Sequence, residues 1–196
     1  MNQTILFIDG ENFIFKIEQV LKRNKIKLDE FDISTCRFDE LIATALQGIK
    51  VSKKFFYIAR LHMHASDTEK SGELIKDQKE LQETLTKQGF KIVVAGNVRA
   101  QKMWVDNEKK FVFREKGVDV RIAVDLVSLA ADRHMQTAIL CSSDSDLQPA
   151  VKEVIKRDVE MVYLGFQMQP NRGLTYTSDK TILIKNEDIL HACGLK

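Results

Sequence analysis

Short runs of apolar residues alternate with helix-patterned segments along most of this 196-residue chain. The first run, at residues 5–8, is continuously apolar, as in a strand that is buried on both faces of a sheet. Similar runs follow at 55–59, 91–95, 138–141, 160–164 and 181–184. Between them, apolar residues recur at helical spacing, as in Phe13, Ile17 and Val20. This alternation predicts an α/β fold, with a mostly parallel sheet and helices on both faces.

Four segments are interpreted from their turn or cap residues. Apolar residues on both sides of the polar sequence Asp106-Asn107-Glu108 predict an inserted β-hairpin between 97 and 115. The segment 166–179 contains Pro170 and Gly173, and we interpret it as a loop. Gly89 is expected to end a long polar helix at 67–88, and Asn186 is expected to cap a short C-terminal helix.

Length and composition fit one globular domain over residues 1–196. Hydrophobic residues make up 44% of the chain and charged residues 30%, and two prolines leave little material for a disordered linker. The net charge is only +2, so total charge does not indicate nucleic-acid binding, although a local basic surface remains compatible with it.

Cysteine usage and hydropathy predict the compartment. Cys36, Cys141 and Cys193 form no Cys-x-x-Cys pair, and their odd number argues against a secreted disulfide framework. Cys141 lies in an apolar run and is expected to be buried in a strand. No basic-then-apolar signal sequence precedes the first strand, and the apolar runs are shorter than the ~18 residues of a membrane span. We therefore expect a cytoplasmic protein without a membrane partner; the oligomeric state is left open.

Carboxylates follow predicted strand ends or open helices at three places. Asp9 follows the first strand, Asp119 opens a helix after Lys116, and Asp144 and Asp146 lie in the sequence Ser142-Ser143-Asp144-Ser145-Asp146. Ligands of an open parallel sheet bind outside the carboxyl ends of its strands. Four aspartates in one cleft would repel each other unless a cation neutralised them, and Mg²⁺ takes oxygen ligands. The pattern therefore indicates a divalent-metal site for Mg²⁺ or Mn²⁺.

Each of these positions also has an ordinary structural interpretation. Asp9 before a glycine suits a turn, and Asp119 suits the first turn of a helix because of the helix dipole. One Asp or Ser within 142–146 would suit an N-cap. Five small polar residues after a buried strand exceed what one cap requires, so we favour a functional role for this segment.

Three neighbouring residues have candidate supporting roles. Asn12 can point back towards Asp9 as a neutral hydrogen-bonding group, and Lys116 offers a cation for a phosphate or for the carboxylates. Asp125 lies six residues after Asp119, roughly 240° further round the helix. It can instead pair with the arginine four positions before it, and we favour this surface pair over contact with a metal.

Basic residues flank the predicted cleft. Arg60 follows the second strand, and the hairpin carries Arg99, Lys102 and Arg114 together with Trp104 and Phe111. Basic side chains bind phosphates and bases stack on aromatic rings, so these residues could form a binding track for single-stranded nucleic acid. The two aromatic rings could instead pack the hairpin against the sheet, which we favour. No Gly-rich phosphate loop, GxGxxG motif or nucleophile elbow is present, which disfavours nucleotide-cofactor enzymes and serine hydrolases.

Three motifs together resemble the NYN domain, and more closely its bacterial LabA-like branch within the PIN-like nuclease group. They are Phe7-Ile8-Asp9-Gly10-Glu11-Asn12, then Glu115-Lys116-Gly117-Val118-Asp119 with Asp125, then Ser142-Ser143-Asp144-Ser145-Asp146. The resemblance covers about residues 4–165 and leaves a C-terminal extension at 166–196. It implies a PIN-like, Rossmannoid fold, a divalent-metal centre and ribonuclease activity. By motif match, the residues implied for the centre are Asp9, Asp119, Asp144 and Asp146, with Asn12 as a further catalytic residue and Lys116, Ser142 and Asp125 in support.

Our leading hypothesis is a divalent-metal-dependent ribonuclease that hydrolyses single-stranded or structured RNA, with no protein nucleophile. The alternative is a non-catalytic RNA-binding or regulatory module on the same fold, since fold does not settle function. A metal-dependent phosphatase acting on a small ester is a third hypothesis. It is disfavoured because Glu11, two residues after Asp9, breaks the Asp-x-Asp pattern.

Overall fold

The computed structural model describes residues 3–62, 68–105 and 108–195, without the side chains of 69, 70 and 99–115. The strands are β1 (Thr4–Asp9), β2 (Lys53–Arg60), β3 (Lys91–Val105), β4 (Glu108–Lys116), β5 (Thr137–Cys141), β6 (Glu160–Phe166) and β7 (Lys180–Ile184). The helices are α1 (Gly10–Arg23), α2 (Phe38–Leu46), α3 (Thr68–Lys87), α4 (Val118–Ala131), α5 (Gln148–Ile155), α6 (Arg172–Thr177) and α7 (Asn186–Ala192). Single 3₁₀ turns lie at Leu28–Glu30, Ile33–Thr35 and Ser145–Leu147. Over these residues, no helix combines the length and apolar character that crossing a membrane requires.

The seven strands form one sheet in the order β4-β3-β2-β1-β5-β6-β7. Six strands are parallel, and β4 pairs antiparallel with β3 at one edge. From the central strand β1, the chain builds outwards through β2 and β3 on one side and through β5, β6 and β7 on the other. The strand order therefore reverses between β1 and β5, and this is where an open α/β sheet binds its ligands.

Two hydrophobic cores cover the two faces of the sheet. On β1, Leu6 and Ile8 point into a core with α1, α2, α3 and α7. Ile5 and Phe7 alternate with them and point into a core with α4, α5 and α6. All four side chains are fully buried, as expected for a central strand covered on both faces. The predicted α/β architecture, with a mostly parallel sheet between two helical layers, is confirmed.

Several local predictions need correction. The predicted loop 166–179 contains α6, whose start is capped by Asn171. Asn186 is the first residue of α7 rather than its cap; Lys185 is the cap residue, without a side-chain hydrogen bond. The predicted hairpin is present as the antiparallel pair of β3 and β4, but its first arm is not a separate strand, because β3 runs unbroken from Lys91 to Val105.

The end of α3 matches its prediction in detail. Gly89 adopts a φ of +80°, and its N–H donates to the carbonyl of Thr86 while the N–H of Phe90 donates to that of Leu85. These two bonds form a Schellman motif, which favours glycine because other residues are strained at positive φ.

Two glycines allow close backbone approaches near the carboxyl ends of the strands. A Cβ added at Gly10, the first residue of α1, would lie 2.5 Å from the carbonyl oxygen of Tyr57 in β2. A Cβ added at Gly96, whose φ is +68°, would lie 2.1 Å from the carbonyl oxygen of Lys116. Real Cβ contacts are never this short, so α1 starts against β2, and β4 ends against β3, only because these residues are glycines.

A disulfide joins Cys36, just before α2, to Cys193, just after α7. The sequence analysis did not predict it, because the two cysteines lie 157 residues apart. Cys141 is the free, buried strand cysteine that was expected. Disulfides persist in oxidising compartments and are rare in the cytosol. The bridge therefore argues against the cytoplasmic location that was expected from the sequence.

We predict that the double substitution Cys36→Ala/Cys193→Ala lowers the free energy of unfolding by about 2–4 kcal/mol, because the bridge closes a long loop in the unfolded chain. The measurement is urea denaturation, with and without dithiothreitol. The reductant should destabilise the wild type to the level of the double variant and leave the double variant unchanged. A wild type that is indifferent to the reductant would contradict a stabilising bridge.

Candidate functional site

Asp9 is the last residue of β1 and the N-cap of α1. Its side chain is only 1% exposed. The backbone N–H of Asn12 donates to Oδ1 of Asp9 at 3.2 Å, and Nδ2 of Asn12 donates to Oδ2. The hydroxyl of Ser142, at the end of β5, also donates to Oδ2, at 2.9 Å. A buried carboxylate needs such donors, and here they come from both sides of the strand-order reversal.

The loop after β5 is tied to the start of α1 by a second contact. The hydroxyl of Ser143 donates to Oδ1 of Asn12. Within the loop, the N–H of Asp144 donates to Oγ of Ser142 at 3.1 Å, and the N–H of Asp146 donates to Oδ1 of Asp144 at 2.8 Å. The small polar residues after β5 thus do more than cap one 3₁₀ turn. They also hold the loop that carries Asp144 in place.

Asp119, in the first turn of α4, completes the cluster. Its carboxyl hydrogen-bonds to that of Asp144, and both Asp9 and Asp144 lie close enough to repel its negative charge. Repulsion from Asp144 also acts on Asp9. The structure therefore brings together three of the four predicted aspartates.

The pKa values of Asp9 and Asp119 are both raised above those of a free aspartic acid side chain. The pKa of Asp119 is raised to about 6, mainly by burial and in addition by the charges of Asp9 and Asp144 and the hydrogen bond to Asp144. Burial likewise raises the pKa of Asp9, although the hydrogen bonds from Asn12 and Ser142 oppose that increase. Burial and the neighbouring negative charges disfavour the charged forms of these carboxyls. A bound cation would offset the repulsion between them.

The other predicted site residues lie at varying distances from this cluster. Asp146 lines a shallow surface groove together with Asp119, and no hydrogen bond joins its carboxylate to the cluster among the described contacts. Lys116 is exposed at the end of β4, opposite Asn97 of β3. Among the described contacts, neither side chain bonds to the three clustered carboxyls.

Asp125 belongs to a separate arrangement. Its carboxylate accepts from the hydroxyl of the buried Tyr57 at 2.9 Å and from Nε of Arg121 at 2.8 Å. This is the helical pair expected from the sequence, extended by a tyrosine from β2. Asp125 therefore attaches α4 to the sheet, and no contact described for it reaches the acidic cluster.

Sequence reasoning missed Asn171 and Glu11. Nδ2 of Asn171 donates to the carbonyl of Ser143 at 2.8 Å, while the N–H of Asn171 donates to the hydroxyl of Tyr163 at 2.9 Å. The C-terminal segment thereby supports the loop of the site. Asn followed by a short helical stretch is an N-cap signal that could have indicated this position. Glu11 lies beside the cluster, and burial and the charge of Asp9 raise its pKa.

The predicted RNA-binding residues are only partly described. Arg60 is exposed at the end of β2. The structure does not describe the side chains of Arg99, Lys102 and Arg114. In the backbone register of β3 and β4, Arg99 is opposite Arg114. All four positions lie in strands on the β2 side of the site.

The donor set of the cluster suits a hard cation, since its side chains offer only carboxylate, amide and hydroxyl oxygens. Within the described residues, no three Asp, Glu, His or Cys side chains lie in an arrangement ready to hold a metal ion. Mg²⁺ does not require one, because it commonly binds one or two carboxylates and keeps several waters. The residues present therefore fit a partly hydrated divalent ion.

Comparisons with known proteins extend these observations. The chain matches the NYN domain over residues 3–185. It also resembles a crystal structure of a protein of unknown function from Vibrio parahaemolyticus, with a TM-score of 0.61, 15% sequence identity and 93% of each chain covered. That likeness supports the fold alone. No curated protein matches the sequence significantly.

The family match covers most of the chain and includes all three acidic motifs. The NYN domain is a PIN-like, nuclease-type domain, its members are generally hydrolytic nucleases that act on nucleic acids, and such nucleases typically use divalent metals. The sheet order and the acidic cluster at its reversal point agree with this assignment. The chain belongs to the NYN domain family.

Proposed function

We propose that this protein is a divalent-metal-dependent ribonuclease of the LabA-like branch. The observation that carries the proposal is the meeting of the carboxyls of Asp9, Asp119 and Asp144 where the strand order reverses. Grouping buried like charges costs free energy in the absence of a cation. A carboxylate cluster of this kind has a clear use in metal-assisted phosphodiester hydrolysis.

Asp9, Asp119 and Asp144 would hold Mg²⁺ or Mn²⁺, with Asp146 at the edge of the site. When bound, such an ion lowers the pKa of a coordinated water and offsets negative charge at the scissile phosphate. On Asp9, Oδ2 accepts two hydrogen bonds and Oδ1 accepts one among the described contacts. Because each carboxylate oxygen has two lone pairs, Oδ1 is the atom of Asp9 that keeps capacity for a cation.

The remaining residues position the site and its substrate. Asn12 and Ser142 hold the Asp9 carboxylate between α1 and the loop after β5. Arg60 and Lys116, exposed at the ends of β2 and β4, would bind phosphates of the RNA. Arg99, Lys102 and Arg114 in β3 and β4 are further candidates for the same role. Phosphate contacts of this kind orient the strand without reading its sequence.

The direct test is cleavage of fluorescently labelled single-stranded and hairpin RNAs in Mn²⁺, in Mg²⁺ and in EDTA. We expect cleavage by the wild type only with a divalent ion, and a loss of at least about 100-fold in Asp144→Asn because one charge of the site is removed. Asp158→Asn is the matched control, since Asp158 is exposed at a φ of +59° that Asn also tolerates.

Each outcome of this test is informative. Equal cleavage by the wild type and Asp144→Asn would mean a contaminating nuclease, and the proposal would lose its support. RNA binding without cleavage across the panel would instead favour the non-catalytic RNA-binding module on the same fold.

We also predict a pH dependence that reverses on metal binding. The pKa of Asp119 rises from 3.8 to about 6 on folding, so folding disfavours its charged form. In EDTA, this carboxyl should therefore lower the stability of the protein progressively as pH increases from about 4 to about 6. Millimolar Mn²⁺ should raise the melting temperature increasingly over the same interval, because the ion binds the deprotonated form.

Thermal unfolding of the wild type and Asp119→Asn between pH 4 and pH 8 measures this effect. In EDTA at pH 7, Asp119→Asn should melt above the wild type; in Mn²⁺ the order should reverse. An identical pH profile for the two proteins in EDTA would show that Asp119 is an ordinary residue of a helical first turn.

A further inference from the structure

A groove of about 1060 Å³ lies beside the acidic cluster on one face of the sheet. Its walls are α1, the connecting segment 28–34 and α3, and its floor is formed by Phe56 and Ile58 of β2. It meets the acidic cluster at Gly10 and Glu11, and its lining also includes Ala59 and Leu61, on either side of Arg60, and Val98 of β3. The proposed nuclease chemistry does not use this surface.

The inner surface of the groove is apolar. Phe15 of α1 is 50% exposed, and Leu28, Phe31 and Leu74 are partly exposed around it. Single exposed apolar residues are common, but a concave group of them marks a binding surface.

Carboxylates surround this apolar surface. Eight acidic side chains line the groove, among them Glu18 on α1, Asp29 and Asp32 on the connecting segment, and Glu73 and Asp77 on α3. No lysine, arginine or histidine belongs to the lining among the described side chains. The whole chain has a net charge of +2, so this local excess of negative charge is a property of the groove and not of the composition.

Among the described side chains, two of the eight carboxylates form ion pairs with lysines outside the lining, and the charge of Lys22 acts on a third, Glu18. Lys27 pairs with Glu30 at 2.8 Å, and Lys76 pairs with Glu80 at 3.8 Å. Both pairs are well exposed, and exposed ion pairs are weak enough to rearrange on binding. Over the described side chains the groove remains negative, which disfavours the phosphate backbone of a nucleic acid as its occupant.

We propose that this groove binds an amphipathic helix of a partner protein, with apolar residues towards the groove and lysines or arginines on both flanks. The helices of the walls suit packing against a third helix, with apolar anchors at i, i+3, i+4 and i+7. An added strand is excluded, because β2 on the floor already pairs with β1 and β3. The acidic rim supplies the charge complementarity that selects a basic partner.

The test uses a designed probe, an 18-residue peptide of leucine and lysine with leucine at i, i+3, i+4 and i+7. Its binding to the full chain is measured by fluorescence anisotropy, next to a scrambled peptide of the same composition and a peptide with glutamate in place of lysine. Backbone amide shifts of the isotope-labelled protein then locate the site. We expect binding of the patterned basic peptide alone, with the shifts concentrated in α1, segment 28–34 and α3.

Two pairs of variants separate the groove from general charge attraction. Glu73→Gln/Asp77→Asn should weaken binding by roughly fivefold or more, whereas Glu83→Gln/Glu187→Gln makes the same change in net charge outside the groove and should have little effect. Phe15→Ser should weaken binding, whereas Val120→Ser should not, although Val120 is 67% exposed on α4. All these positions are exposed, so the fold should persist in each variant.

Several results would overturn the proposal. Equal weakening by both charge variants, or equal binding of the scrambled peptide, would reduce the effect to general attraction. Amide shifts of the same groove on addition of RNA would assign it to nucleic acid, and concentration-dependent shifts in the protein alone would assign it to a second copy of the chain. None of these measurements depends on nuclease activity, so the groove and the proposed function can fail separately.

Discussion

A buried carboxylate at the end of the central strand joins the two halves of this molecule. Asp9 caps α1, which belongs to the half built through β2 and β3, and it accepts the hydroxyl of Ser142 from the half built through β5. At 1% exposure, the charge of Asp9 is stable only while these donors are in place. The packing of both cores therefore fixes one small region outside the carboxyl ends of β1 and β5, and Asp119 and Asp144 meet Asp9 there.

Charge is distributed unevenly around this region. Arg60 and Lys116 are exposed at the ends of β2 and β4, and Arg60 lies between Ala59 and Leu61, which line the groove of carboxylates. The phosphates of the proposed RNA substrate would be attracted by these cations and repelled by the carboxylates of the groove. The basic helix proposed for the groove would have the opposite preference.

Much of this arrangement could be predicted from the sequence, because it depends on periodicity and on strand ends. Continuous apolar runs identified the strands of the sheet, and the rule that ligands bind at strand carboxyl ends brought Asp9, Asp119 and Asp144 into one cleft. Local patterns failed where contacts are distant in the chain. The bridge between Cys36 and Cys193 has no local signature, and the local N-cap signal of Asn171 does not reveal that its side chain also supports the loop of the site. The short α6 was missed because six residues barely show a helical period.

We propose above all that the carboxyls of Asp9, Asp119 and Asp144 form a divalent-metal site. The most direct measurement is an anomalous difference map from a crystal of the protein soaked in Mn²⁺, compared with an identical soak of Asp144→Asn. We expect a strong anomalous peak within coordination distance, about 2.0–2.3 Å, of oxygens from at least two of these aspartates. In the variant, the peak should be weakened or lost. A map of the wild type with no peak among the three carboxyls at saturating Mn²⁺ would contradict the claim and leave them as structural caps.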